Sequence, residues 1–282
     1  MLLIKQISKK VLFKLFGEKN VLRFIGKISG LMNIKMYFAM NPNNLPKHRH
    51  LTYDADGLAT VHNCDFLLDP LFVDAYRNGM SASYKLGNDL HIEWRAYVAC
   101  WAADYAKDID GDYVECGCYT GILSKTVVSY IQFEKMQHKR FFLFDSFKGI
   151  NLDFLTEAEQ ENIHSYRSKN ERLFCGNYYE IAKNNFENYK NVMLVKGYVP
   201  ESLSTVEIDK VCYLSIDMNA AYPEVEALKY FWGKLIPGAI VILDDYGFKG
   251  HSEQKKSIDS LGKMIGFSVL TLPTGQGLII KS

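Results

Sequence analysis

The sequence predicts a doubly wound α/β fold: a Rossmann-like, mostly parallel sheet that ends in an antiparallel C-terminal hairpin and is preceded by an N-terminal helical segment. Three observations carry this. From Asp112 onward, short β-rich runs alternate with helical patterns, as right-handed βαβ crossovers require. The runs are apolar almost throughout, which suits strands covered on both faces. The last two are joined only by Pro273, Thr274, Gly275 and Gln276, a hairpin connection, so the final strand must run antiparallel to its partner.

Taken in order, the chain opens with Leu3, Ile4, Ile7, Val11 and Leu15 at helical spacing. Lys5, Lys9, Lys10, Lys14, Lys19, Arg23, Lys27 and Lys35 stand against Glu18 alone, so this head is basic and the remainder mildly acidic. A helix packing on its own body or on a second subunit is expected, as in a homo-oligomer; peripheral contact with an anionic membrane surface is the alternative. Pro42, Asn43, Asn44, Pro46 and Gly57 mark a loop-like stretch and a first boundary. A mixed region follows, with Asp69-Pro70 as a turn. The expected division is an N-terminal helical or lid segment over 1–87 and the α/β domain over 88–282.

Trp94, Val98 and Trp101 fall on one face of a helix of about four turns. Strands are then expected at 113–116, 140–144, 192–196, 211–216 and 239–243, with helices over 122–131, 178–186, 223–235 and 252–264. The closing hairpin is expected from 268–272 and 277–280.

Composition bounds the function. With 48% hydrophobic and 23% charged residues in 282, the chain is an ordinary globular protein rather than a disordered one. A formal charge of +1 gives no electrostatic case for nucleic acid as partner. Cys64, Cys100, Cys116, Cys118, Cys175 and Cys212 show no zinc or disulfide spacing, and read as buried thiols of a cytoplasmic protein. Lysines interrupt the opening apolar residues before a signal-peptide core or membrane span could form.

Two constellations carry chemistry. In the first, residues 111–121 form a strand ending near Glu115, a loop with Gly117 and Gly121, and a helix start, where a ligand can meet backbone N–H groups. Gly117 can adopt positive φ, and Gly121 allows helix and strand to approach closely. Asp145, at the tip of the next strand, is placed for ribose hydroxyls. Tyr119 breaks the dinucleotide fingerprint G-x-G-x-x-G, which disfavours a nicotinamide-dependent oxidoreductase. A carboxylate two residues before Gly117 suits a ligand with a free ammonium group, as methionine has.

In the second, the strand at 211–216 leads into Asp217 and that at 239–243 into Asp244 and Asp245. If these strands are neighbours, three carboxylates meet at the carboxyl edge of the sheet. Their mutual repulsion makes a cation the natural resident. Oxygen ligands alone favour Mg²⁺, with Mn²⁺ or Ca²⁺ also suited. The alternative is that Asp244 or Asp245 caps the following segment and Asp217 polarises the cofactor edge.

With these residues in view, the chain resembles the macrocin O-methyltransferase (TylF-like) family, metal-dependent sugar O-methyltransferases of macrolide and aminocoumarin pathways. The likeness rests on the loop at Glu115 to Gly121, the F-D-S-F-K-G run at Phe144 to Gly149, Ile216-Asp217, and L-D-D-Y at Leu243 to Tyr246. It implies a class I methyltransferase fold and S-adenosylmethionine as methyl donor. It also implies a divalent ion on Asp217, Asp244 and Asp245, with Asp217 in the catalytic machinery, and a small-molecule or glycosidic hydroxyl as acceptor. The family's cofactor residues map onto Glu115, Gly117, Tyr119, Gly121, Asp145 and Ser146. One departure stands out: the family's second acid after the fourth strand is Asn219 here, and an amide cannot act as a base. His251, shortly after the Asp244-Asp245 pair, is the candidate base by residue type and place. The same departure motivates a second reading, a catalytically degenerate methyltransferase-fold binding protein.

Overall fold

The structure is a computed structural model that describes residues 51–83, 89–174 and 176–282. The helical pattern of the first 40 residues, the boundary expected at residue 87 and Cys175 lie outside the described residues. Tyr53–Ala59 and Asn63–Ser282 form one compact unit, which contains the main sheet.

Short strands β1 (Tyr53–Ala55) and β2 (Leu58–Thr60) make a hairpin ahead of helix α1 (Pro70–Met80). Asp69-Pro70, expected as a turn, instead starts this helix: the Asp69 carboxylate accepts the Leu71 N–H at 3.0 Å and Pro70 occupies the first helical position. An acidic cap followed by proline serves either structure, but here the Phe72, Ala75, Tyr76 and Met80 stripe behind it is buried and favours the helix.

Helix α2 (Glu93–Ala106) buries Ala96, Ala99, Cys100, Ala102, Ala103 and Ala106. The face of Trp94, Val98 and Trp101 is therefore not the one against the sheet; Trp101 is 46% exposed and stacks on Tyr105. Small side chains let the α2 backbone lie close to the sheet, so close packing selects the alanine face over the bulkier one.

Seven strands build the main sheet: β3 (Asp112–Cys116), β4 (Phe141–Asp145), β5 (Val192–Lys196), β6 (Val211–Ile216), β7 (Leu235–Leu243), β8 (Leu270–Thr271) and β9 (Gly277–Ile280). Their spatial order is β5-β4-β3-β6-β7-β9-β8, with β9 antiparallel to both β7 and β8 and the remaining pairs parallel. Alternate residues serve opposite cores. Tyr113, Phe141, Leu143, Tyr213 and Ile240 face the layer of α1, α2 and α3 (Ile122–Tyr130). Val114, Phe142, Leu214 and Val241 face α7 (Ala221–Trp232) and α8 (Ser252–Ile265). This is the doubly wound, mostly parallel sheet with an antiparallel end that the sequence predicts.

Strand β7 begins four residues before the expected 239 because the chain stays extended through Pro237 and Gly238. Gly238 takes φ +86°, and the pairing with β6 shifts register there. Between β4 and β5 two further helices, α4 (Glu157–Gln160) and α5 (Ile163–Leu173), precede α6 (Tyr178–Asn185). The described cysteines Cys64, Cys100, Cys116, Cys118 and Cys212 are all buried. Among the described residues no helix is long and apolar enough to cross a membrane.

Candidate active site

Parallel strands leave their last carbonyls at one edge of the sheet, and the loops that follow take over the hydrogen-bond ladder. Gly117 N–H donates to Phe144 O at 2.7 Å, Asp217 N–H to Cys116 O at 2.8 Å, and Asp244 N–H to Ile216 O at 2.9 Å. These bonds align the tips of β4, β3, β6 and β7 side by side. A cavity opens along that edge, lined among others by Glu115, Gly117, Tyr119, Asp145, Ser146, Lys169, Asp217, Asn219 and Asp244. Phe154, ahead of α4, and Leu173 and Phe174, at the end of α5, form part of its wall.

The glycine loop holds one end. Gly117 has φ +92°, and a Cβ there would lie 1.9 Å from the Asp217 carbonyl oxygen, so only glycine lets the loop pass beneath β6. Gly121 also has positive φ, but the group crowding it is the Phe186 ring beyond α6 rather than a strand. Asp145 organises the loop: its two oxygens accept the Tyr119 N–H at 2.7 Å and the Phe147 N–H at 2.6 Å. Part of the backbone expected to be bare is thus already paired, while each carboxylate oxygen keeps a further acceptor site. Ser146 is engaged in its own turn, its hydroxyl donating to Gly149 O at 2.8 Å. The Tyr119 ring packs against Phe174 and Tyr178 as it lines the cavity.

Glu115 is buried at the bottom of this end and accepts the Ser124 hydroxyl. Burial, opposed by that bond and reinforced by the charges of Asp244 and Asp145, pushes its carboxyl up to about 8. Burial likewise raises Asp145 to about 6, against the backbone N–H groups that favour its ionised form. Glu115 is therefore protonated in the fold where it would be ionised in the unfolded chain. Its contribution is complete below its ordinary value near 4.5 and is lost as pH rises through about 8. Ligand-free protein is expected to lose thermal stability between about pH 5 and 8, with a shallower decline in Glu115→Gln. Melting curves across that range check this; equal slopes in the two proteins would refute it.

At the other end Asp217, Asp244 and Asp245 place carboxylate oxygens within 4.8 Å of one another. Each is held differently. Asp244 Oδ2 accepts Arg95 Nη1 at 2.7 Å and Asp244 Oδ1 accepts Gln276 Nε2 at 3.0 Å. Asp217 Oδ1 accepts Asn219 Nδ2 at 3.0 Å. Asp245 Oδ2 is buried with no hydrogen-bond donor among the described residues, 3.7 Å from His251 Nδ1. Burial and the charges of their neighbours raise the carboxyls of Asp217 and Asp245. An unpaired buried oxygen among three carboxylates has the donor set of a hard cation site, so these residues fit a divalent ion.

Three features of the site were not predicted. Arg95, which reads in sequence as a surface arginine or a contact for a cofactor carboxylate, bridges Asp244 and Asp56; its Nε and Nη2 each lie 2.8 Å from an Asp56 oxygen. Buried Glu224 accepts the backbone N–H groups of Met218 and Asn219 at 3.1 and 3.0 Å and the side chain of Gln254 at 2.8 Å, fixing the loop after β6. Lys169 reaches Asn219 from α5. Glu224 lies five residues past Asn219 on a helical face, a weak signal; Arg95 offered only a cation on a helix before the glycine loop, and Lys169 left none. His251 does not line the cavity: its ring contacts Gln254 and approaches Asp245 from behind.

Residues 95–259 match the model of a family described as Macrocin-O-methyltransferase (TylF). No curated protein matches the chain in sequence. Among solved structures, the O-methyltransferase NovP superposes with a TM-score of 0.58 at 21% identity, covering 67% of this chain and 79% of NovP. The calicheamicin methyltransferase CalS11 gives 0.54 at 14% identity, covering 78% of this chain and 86% of CalS11. At these identities the structural likeness speaks to the fold.

Proposed function

Since the chain belongs to the macrocin O-methyltransferase (TylF) family and is an S-adenosylmethionine-dependent methyltransferase, we propose that it methylates a hydroxyl of a sugar or sugar-bearing small molecule with the help of a divalent cation. The observation that carries this reading is the carboxylate trio: Asp217 and Asp244 line one end of a cavity whose other end is the glycine loop, and Asp245 beside them has an oxygen with no hydrogen-bond donor among the described residues.

S-adenosylmethionine supplies the methyl group as the electrophilic substituent of a sulfonium. In this reading Glu115 accepts the amino group of the methionine half, which would restore its ionised form, and Asp145 accepts ribose hydroxyls. Gly117 and Gly121 keep the loop close, while Tyr119 and Ser146 shape the wall. Asp217, Asp244 and Asp245 would hold Mg²⁺, which when bound supplies Lewis acidity and a fixed point for the acceptor oxygen. Arg95 and Gln276 orient Asp244, Asn219 orients Asp217, and His251 stands where it can orient Asp245, an outer-shell role rather than that of a base. NovP is by name an O-methyltransferase and CalS11 a calicheamicin methyltransferase, which supports a hydroxyl of a small molecule as acceptor.

Calorimetry with S-adenosylmethionine and MgCl₂ on the wild type and on Asp217→Ala/Asp245→Ala tests this. Both proteins should bind the cofactor, and only the wild type should show Mg²⁺ heat. Absence of cofactor binding would overturn the whole reading, and equal Mg²⁺ heats would remove the metal. Methyl transfer to a panel of sugars then separates an enzyme from a binding protein of the same fold.

A further inference from the structure

Among the described residues, two cationic side chains line the cavity. Arg95 is consumed by Asp56 and Asp244. Lys169 is half-buried and has no carboxylate within 4.0 Å among the described residues; its ammonium donates to a neutral acceptor, Asn219 Oδ1, and acts on Asp217 and Asp245 only through space, carboxylates that a divalent ion would claim. That partner is fixed in orientation. Asn219 holds a left-handed backbone at φ +58°, its N–H is tied to Glu224, and its Nδ2 donates to Asp217, so its oxygen is the end left for Lys169. An ammonium has three donors, and one is spent on this amide. The other two belong to a charge beside the end of the cavity where the acceptor must sit. Phe154 and Tyr198, edge to face with ring centres 6.1 Å apart, add aromatic surface to the same cavity, suited to the apolar face of a sugar ring.

A half-buried ammonium with a neutral partner is most stabilised by an anion, because hydrogen bonds between ionised groups are about twice as strong as neutral ones. We propose that Lys169 is a specificity-determining residue that binds an oxyanion carried by the acceptor, a carboxylate or a phosphate, so that the preferred acceptor is an acidic sugar. This rests on the reading of the site as one that methylates a sugar hydroxyl.

The test uses the full chain saturated with S-adenosylhomocysteine in Mg²⁺ buffer, titrated calorimetrically with D-glucuronate, D-glucose 1-phosphate and methyl α-D-glucoside. Wild type should bind at least one acidic sugar roughly tenfold or more tightly than the neutral one. Lys169→Met should lose that preference while binding the neutral sugar as before, and Lys169→Arg should keep it. The better acid identifies the oxyanion. No preference in the wild type, a preference that survives Lys169→Met, or no binding of any of the three sugars would each overturn the proposal. Failure to bind S-adenosylhomocysteine would instead overturn the underlying reading of the cofactor site.

Discussion

Gly117→Ala is expected to abolish cofactor binding and to lower the melting temperature by roughly 10 °C or more. An L-residue in the left-handed region costs about 1–2 kcal/mol by itself, and Gly117 sits at φ +92°. The larger penalty is overlap. The new methyl would lie 1.9 Å from the Asp217 oxygen and 2.6 Å from its carbonyl carbon. Both are backbone atoms and cannot rotate away. Asp217 N–H is bonded to Cys116 O, and the residues after it hang on Glu224, so neither side of the contact can yield without opening the β3–β6 edge. Gly121→Ala is the milder control, because the atoms it meets belong to the Phe186 side chain. Thermal unfolding and calorimetry with S-adenosylmethionine measure both effects. A folded Gly117→Ala protein with unchanged affinity would refute the role given to the loop.

Arg95→Met is expected to cost about 3–5 kcal/mol, because removing one partner of a buried ion pair strands the other. Here two carboxylates are stranded together: the side chains of Asp56 and Asp244 are 18% and 3% exposed, and Arg95 joins them at 16%. The guanidinium also lies 5.0 Å from the centre of the Phe248 ring, which methionine replaces only in part. For a chain of this size the loss corresponds to roughly 10 °C in melting temperature. Hydrogen exchange should also accelerate at 53–59, since Asp56 loses its hold on α2. Asp56→Ala should be the weaker lesion, since Arg95 then keeps Asp244. If the two variants melt alike, Asp244 does not depend on Arg95.

The strands were legible where continuous apolar runs leave one interpretation. Val192–Lys196 and Val211–Ile216 agree with expectation residue for residue. The position of Asp217 and the Asp244-Asp245 pair at neighbouring strand tips follows from that pattern, and Glu115, Gly117 and Asp145 follow from the strand, glycine and helix succession. Helix α5 was not legible: none of its residues is fully buried, and Ile163, Tyr166 and Leu173 are too few among eleven mostly polar residues for a helical period to stand out. The face of α2 was misleading because alanines, which actually pack, weigh little beside two tryptophans in any hydrophobic pattern. Arg95 and Asp244 meet across 149 residues of sequence, and Lys169 and Asn219 across 50; such pairs exist only once the layers are stacked. Asn219 signalled a change in the chemistry, but what answers it comes from another part of the chain.

Strand β9 lies between β7 and β8, and Gln276, at its threshold, holds Asp244. During translation, strands β3 to β7 and their helices can assemble in order of emergence, yet β7 keeps a bare edge until residues 277–280 have left the ribosome. A nascent chain paused before that point would display the unpaired backbone of Ile240 to Leu243 to any other extended peptide, the situation that leads to intermolecular pairing. The carboxylate end of the site would at the same time lack one of its two ties on Asp244. Activity therefore depends on residues 276–280 being in place, and their removal should be far more damaging than an equal loss from an exposed loop.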